Sequence, residues 1–127
     1  PSTDEHPLDG YSFAEFLVNP NLKTPRAPVF YLFPGYLDRR AQPCLTAIEK
    51  IKNTQFKLLY FYETESWELY NITDDISESR NIASEHPDLV SQLAGKLRNW
   101  LTQDHPTWKP KYPILKTTGK PMGPPAP

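Results

Sequence analysis

The stretch Phe-Lys-Leu-Leu-Tyr-Phe-Tyr-Glu-Thr-Glu-Ser-Trp-Glu-Leu-Tyr-Asn, residues 56–71, decides the fold of this chain. Two runs rich in aromatic and aliphatic side chains flank four polar residues, a pattern typical of a β-hairpin. Side chains alternate between the two faces of a strand, yet the first run carries apolar residues at both odd and even positions. That distribution is typical of a strand inside a sheet whose two faces are both covered.

Neighbouring segments extend this hairpin into a larger sheet. A short apolar run at 29–33 ends at Pro34-Gly35, and the polar residues 52–55 turn the run 45–51 back into the hairpin. The sequence therefore predicts about four antiparallel strands, at 29–33, 45–51, 56–62 and 67–72. A helix of two turns at most is predicted at 13–17 from the spacing of its apolar residues.

One long helix follows the predicted sheet. Pro87 suits the first helical position and Asp88 the first turn, and Pro106 prevents continuation beyond about residue 103. Apolar residues recur at helical spacing along one stripe, namely Leu89, Val90, Leu93, Ala94, Leu97, Trp100 and Leu101. The predicted fold is α+β, an antiparallel sheet of about four strands with one long C-terminal helix packed on one face.

Length and charge exclude several classes of protein. A chain of 127 residues suits one domain that needs no disulfide or metal to fold. With 14 basic and 15 acidic residues, a nucleic acid or an anionic membrane is not an expected partner. No apolar run approaches the roughly 20 residues of a membrane span, and the first residues do not have the pattern of a secretory signal. Seven of the fifteen prolines fall in residues 105–127, which predicts a stiff, extended tail.

The order of motifs along the chain resembles the C-terminal region of the sulfatase family, the alkaline-phosphatase-like arylsulfatases. The resemblance covers roughly residues 7–115. The matching residues are Leu8-Asp9-Gly10-Tyr11-Ser12, Phe33-Pro34-Gly35-Tyr36, Lys57-Leu58, Tyr62, Trp67-Glu68-Leu69-Tyr70-Asn71-Ile72, Asp75, Glu78, Asn81-Ile82-Ala83, Pro87, Leu93, Leu97 and Trp100.

The resemblance also shows what this chain lacks. Sulfatases use a formylglycine made from Cys or Ser in a C/S-x-P-x-R motif, beside a calcium ion held mainly by Asp and Asn. Cys44 is followed by neither the proline nor the arginine at the required offsets, and no serine begins such a motif. We therefore expect no cofactor and no independent hydrolysis in this chain, with calcium and formylglycine in the parent enzyme.

The resemblance implies three segments and a missing partner. Residues 1–28 are expected to form the end of the catalytic domain or a connector, 29–104 the sulfatase C-terminal α+β subdomain, and 105–127 the proline-rich tail. The subdomain would complete the fold and line the substrate pocket of a catalytic domain in the same polypeptide, which would act on a sulfated substrate. The family also implies a periplasmic, secreted or lysosome-like location. The alternative is a stand-alone, non-catalytic binding module that covers its second sheet face by forming a homodimer.

Candidate substrate-binding residues lie after the Pro-Gly break. Tyr36, Arg39 and Arg40 are placed to present an aromatic ring and two forked donors to a sulfate or a sugar carboxylate, and a charged solvated loop is the competing interpretation. The residues that carry the family motif are expected to be structural. They are Lys57, Trp67, Leu69, Tyr70, Asn81 and Trp100.

Other polar residues have simpler interpretations. Cys44 has no histidine close in sequence, which favours an ordinary thiol. His6, His86 and His105 are too widely spaced for a zinc motif, and Asp74, Asp75 and Glu78 do not follow the EF-hand pattern. Asn71-Ile72-Thr73 matches a glycosylation sequon, although the family pattern accounts for Asn71.

Overall fold

Four strands form one antiparallel sheet in the order in which they occur along the chain. In the computed structural model, which describes residues 14–19, 21–22, 27–37, 41–103 and 109–126, the strand order is β1-β2-β3-β4. The strands are β1 (Val29–Phe33), β2 (Cys44–Ile51), β3 (Thr54–Phe61) and β4 (Ser66–Asn71), and the helices are α1 (Ala14–Val18) and α2 (Pro87–Thr102). The predicted α+β fold is confirmed.

The β2–β3 hairpin is tighter than its polar sequence predicts. A two-residue turn at Lys52 and Asn53 replaces the four-residue loop, so β3 begins at Thr54. Lys52 adopts a φ of 55°, which is unusual for a residue with a side chain. The pairing of Ile51 with Thr54 closes the turn and fixes the register of the two longest strands.

The main core lies between α2 and one side of the sheet, which we call the helix face. The pairs Ala47–Leu58 and Leu58–Leu69 bring apolar side chains into one row across three strands. The buried side of α2 packs on this row through Leu93, Ala94, Leu97 and Leu101. The apolar stripe in the sequence therefore corresponds to the buried side of the helix.

The ends of α2 match the signals in its sequence. Pro87 stands in the first turn with Asp88 after it, and His86 precedes the helix without forming a side-chain cap. The extended backbone of Gln103 ends the helix, while its N–H still donates to the carbonyl oxygen of Asn99 at 3.0 Å.

The C-terminal tail folds back onto the sheet, whereas the sequence predicted an extended tail. Leu115 lies in the main core with 5% of its surface exposed, and Pro113 is fully buried. The chain reverses between them and Pro121, which forms a bridge with Ile114. Gly119 takes a φ of 68° in this turn and donates to the carbonyl oxygen of Leu115 at 2.8 Å. The burial of Leu115 and the freedom of Gly119 explain why the many prolines do not keep the tail straight.

Candidate functional site

The side of the sheet opposite α2, which we call the second sheet face, is covered unevenly. Strand alternation and register assign it Val29, Tyr31, Phe33, Cys44, Thr46, Ile48, Lys57, Leu59, Phe61, Glu68 and Tyr70. Leu59 and Tyr70, towards β4, are each 9% exposed, whereas Val29 and Tyr31 of β1 are 46% and 56% exposed. The β1 side of this face is therefore an open, largely apolar surface.

A loop after β4, residues 72–83, protects the β4 side of the same face. The Nζ atom of Lys57 contacts both carboxylate oxygens of Glu78, at 2.7 and 2.8 Å. The hydroxyl of Tyr70 donates to Glu68 at 2.7 Å. Burial, followed by this hydrogen bond, raises the pKa of Tyr70 to about 12. Lys57, a residue of the predicted structural motif, therefore holds the loop against β3, while the hydrogen bond of Tyr70, another motif residue, lies within β4.

Asn81 links the same loop to the outer edge of β4. Its side-chain oxygen accepts hydrogen bonds from the backbone N–H groups of Leu69, at 3.1 Å, and Ala83, at 2.9 Å. The N–H of Ile82 donates in turn to the carbonyl oxygen of Leu69 at 2.9 Å. These bonds satisfy the edge of β4 at its centre, so another strand cannot pair there.

The remaining motif residues pack on the helix face. Leu69 is fully buried. The ring of Trp67 lies 4.7 Å from that of Tyr60, and the ring of Trp100 stacks on Phe30 at 5.5 Å. These contacts place the two tryptophans among the packed aromatic side chains of the sheet and helix.

Three segments that are distant in sequence meet at the end of the sheet, in a group that we call the Tyr36 cluster: Tyr36, Glu63, Lys116 and Thr117. The Tyr36 hydroxyl donates to Glu63 Oε1, and Thr117 Oγ1 donates to Glu63 Oε2 at 2.5 Å. The backbone N–H of Lys116 donates to the Tyr36 hydroxyl at 2.9 Å and to Glu63 Oε1 at 3.2 Å. The Lys116 ammonium lies 4.3 Å from the centre of the Tyr36 ring.

Hydrogen bonding sets the protonation states in the Tyr36 cluster. Donation by Thr117, and then by Tyr36, lowers the pKa of Glu63, while partial burial and the Glu63 hydrogen bond raise the pKa of Tyr36. At neutral pH the cluster thus contains a carboxylate and a protonated phenol. Because the phenol proton is already donated to Glu63, the ring of Tyr36 is the part that remains to contact another molecule.

The loop that carries the predicted arginines begins next to this cluster. Leu37 and Ala41 exchange backbone hydrogen bonds of 3.1 and 3.3 Å, which bring the two ends of the loop together. Arg39 and Arg40 lie outside the described residues. The structure shows the intramolecular contacts of Tyr36, while the substrate-binding prediction for Tyr36, Arg39 and Arg40 stays a prediction.

Cys44 does not have the environment of a nucleophile. Its side chain lies on the second sheet face at the start of β2, and burial raises the pKa of the thiol despite a hydrogen bond with Thr46. A raised pKa keeps the group as a thiol, the less reactive form.

Two carboxylates of the acidic loop after β4 accept hydrogen bonds from residues close to them in the sequence. Asp75 accepts hydrogen bonds from Ser77, Ser79 and the N–H of Arg80 at 2.8, 3.0 and 2.9 Å, and Asp74 accepts from Asn71 at 2.8 Å. Among the described residues, no three His, Cys, Asp or Glu side chains are grouped to hold a metal ion. His6 and His105 lie outside those residues.

Comparison with known proteins identifies the family. The family described as "N-sulphoglucosamine sulphohydrolase, C-terminal" matches residues 3–104. The chain belongs to this sulfatase C-terminal family. A protein named "Sulfatase" from Formosa agariphila is 35% identical over 112 residues, which is 83% of this chain and 20% of that protein. The resemblance to the sulfatase C-terminal region is confirmed, and the chain spans about a fifth of the length of this relative.

Parts of this sulfatase C-terminal chain could not be anticipated from its motifs. Glu63 lies 27 residues from Tyr36 and Lys116 lies 80 residues from it, and no local pattern predicts such contacts. Lys116 and Thr117 also lie beyond the matched residues 3–104. Within the described residues, no helix is both long and apolar enough to cross a membrane.

Proposed function

We propose that this chain is the C-terminal domain of a sulfuric ester hydrolase, in which it completes the fold of a catalytic domain in the same polypeptide. Two observations support the proposal. The family model matches residues 3–104 of the chain, and the chain spans only about a fifth of the length of its relative. In this proposal, residues 29–104 form the C-terminal subdomain. Residues 1–28 form the end of the catalytic domain or a connector, and residues 105–127 form the proline-rich tail.

The open part of the second sheet face is the surface that we assign to the catalytic domain. Val29 and Tyr31 are about half exposed there, and burying apolar surface is worth roughly 25 cal/mol per Å². The open face is the single observation that carries this assignment, because α2 and the tail already cover the other face.

The described residues do not fit the catalytic groups of a sulfatase. They contain no set of carboxylates arranged for calcium, and Cys44 has Thr46 and Ile48 where formylglycine formation requires proline and arginine. The chain's own contribution would be to shape the mouth of the substrate pocket. We assign that role to the end of the sheet that carries Tyr36, with Arg39 and Arg40 on the loop that follows.

The test is to co-express the chain with the sequence encoded upstream of it and to measure hydrolysis of a chromogenic aryl sulfate. We expect co-purification and activity that Val29→Asp weakens at least tenfold. Ile76→Asp is the matched control, because Ile76 is 82% exposed on the loop after β4. Activity that is equally insensitive to both substitutions would contradict the proposed docking face.

A stand-alone dimerising module is the competing function, and the same open face favours it. Sedimentation of the isolated chain separates the two functions. A stable dimer that Val29→Asp dissociates, together with no association with an upstream domain, would favour this alternative. Turnover of the aryl sulfate by the isolated chain would contradict both functions.

A further inference from the structure

Lys116 differs from the ion-paired lysines of this chain. Lys57 and Lys96 each pair with a glutamate, at 2.7 and 2.5 Å. Within the described residues no carboxylate oxygen lies within ion-pairing distance of the Lys116 ammonium, which instead lies over the Tyr36 ring. A lysine held by an aromatic ring keeps its three N–H donors for other acceptors.

The backbone beneath this ammonium is fixed. The Lys116 N–H donates to both Tyr36 and Glu63, the neighbouring Leu115 is buried in the core, and Gly119 closes the turn. The tail therefore presents Lys116 at a defined position rather than on a free end. Less conformational freedom is lost when such a side chain binds a ligand.

We propose that Lys116 is a ligand-contacting residue whose ammonium binds the anionic group of a sulfated sugar, with the Tyr36 ring packing against the sugar itself. The inference rests on the proposed function, which places this end of the sheet at the mouth of the substrate pocket. A lysine ammonium is a compact donor for sulfate oxygens, and an aromatic ring offers an apolar surface to the C–H groups of a sugar ring.

The site also explains a division of roles within the Tyr36 cluster. Three donors, from Tyr36, Lys116 and Thr117, satisfy the Glu63 carboxylate, and none of them is the Lys116 ammonium. Glu63 holds the tail next to the segment that carries Tyr36, while the Lys116 ammonium stays available to a ligand. Lys116 lies beyond the residues that the family model matches.

The direct test is an NMR titration of the 127-residue chain with glucose 6-sulfate, with glucose and inorganic sulfate as references. We expect glucose 6-sulfate to bind more tightly than either reference and to shift the amide signals of Tyr36 and Lys116. Lys116→Met should weaken this binding roughly three- to fivefold, as for one exposed charged contact. Lys120→Met is the matched control, because it also removes one lysine charge, next to Gly119 in the same turn. It should change the affinity for glucose 6-sulfate less than twofold.

Equal losses in the two variants, or signal changes confined to other parts of the sheet, would overturn the assignment. Lys116→Met keeps the backbone bonds and the aliphatic stem, so an unchanged amide spectrum without ligand confirms that it folds. A second measurement separates this inference from the proposed function. If the co-expressed enzyme hydrolyses a sulfate ester but Lys116→Met leaves its KM unchanged, the inference fails alone; if Lys116-dependent binding occurs without such hydrolysis, the proposed function fails alone.

Discussion

At the scale of single residues, Tyr62 shows how a buried polar group can reduce stability. Its side chain is fully buried, and its hydroxyl has no hydrogen-bond partner among the described residues. Burial, with smaller effects from Tyr112 and Tyr60, raises its pKa strongly. The ring packs edge-on against Tyr60 at 5.2 Å, so Tyr62 stabilises the core through its ring and not through its hydroxyl.

We therefore expect Tyr62→Phe to leave the free energy of unfolding unchanged or to raise it by up to about 1 kcal/mol, because an unpaired buried hydroxyl is costly. Tyr70→Phe is the matched control, since it deletes a hydroxyl that donates to Glu68, and it should lower stability by about 1 kcal/mol. Urea unfolding of both variants gives the comparison. A larger loss in Tyr62→Phe than in Tyr70→Phe would contradict this interpretation.

Some buried residues could be predicted from the sequence, whereas the contacts of Tyr36 could not. Leu93 and Leu97 were predictable because helix periodicity directly reports which side of a helix is buried. Tyr36 was singled out as a candidate substrate-binding residue, which stays a prediction; the structure shows that its hydroxyl donates to Glu63. The partners Glu63 and Lys116 depend on how the tail folds back, and no local spacing in the sequence contains that information.

At the scale of elements, the loop of residues 72–83 is organised around Asp75. Donation by the N–H of Arg80, and next by the hydroxyl of Ser77, lowers the pKa of this carboxyl from 3.8 to about 2. The loop is rich in turn-forming residues, so the sequence predicted only a polar connection there. Which oxygen accepts which N–H depends on the folded backbone, and the strand and helix periodicities do not report it.

The depressed pKa gives Asp75 a definite effect on stability. Because the folded carboxyl binds its proton more weakly than the unfolded one, the contribution is complete above about pH 4 and is lost as the pH falls towards 2. We expect Asp75→Asn to lower the melting temperature at pH 6. The difference in melting temperature between this variant and the unsubstituted chain should become progressively smaller as the pH falls from 4 to 2. Calorimetry across this range tests it; a constant difference between the two proteins would contradict the role assigned to the charge.

At the scale of the whole molecule, the tail is part of the core and not an appendage. Leu115 and Ile114 are adjacent in sequence, yet Leu115 is 5% exposed and Ile114 is 64% exposed. We expect Leu115→Ala to lower the free energy of unfolding by about 2–4 kcal/mol, as for other buried leucines, and Ile114→Ala to change it by less than about 0.5 kcal/mol. Thermal or urea unfolding gives both values, and similar losses in the two variants would show that the tail does not pack as described.

The sequential order of the strands has a consequence for how the protein is made. Each strand pairs with the strand before it in the chain, so the sheet can assemble through short-range contacts while the polypeptide is still leaving the ribosome. Lys116 and Thr117 leave the ribosome after all four strands and α2. The pocket mouth proposed around Tyr36 would accordingly be the last part of this domain to take shape, after the β-layer and its helix have already formed.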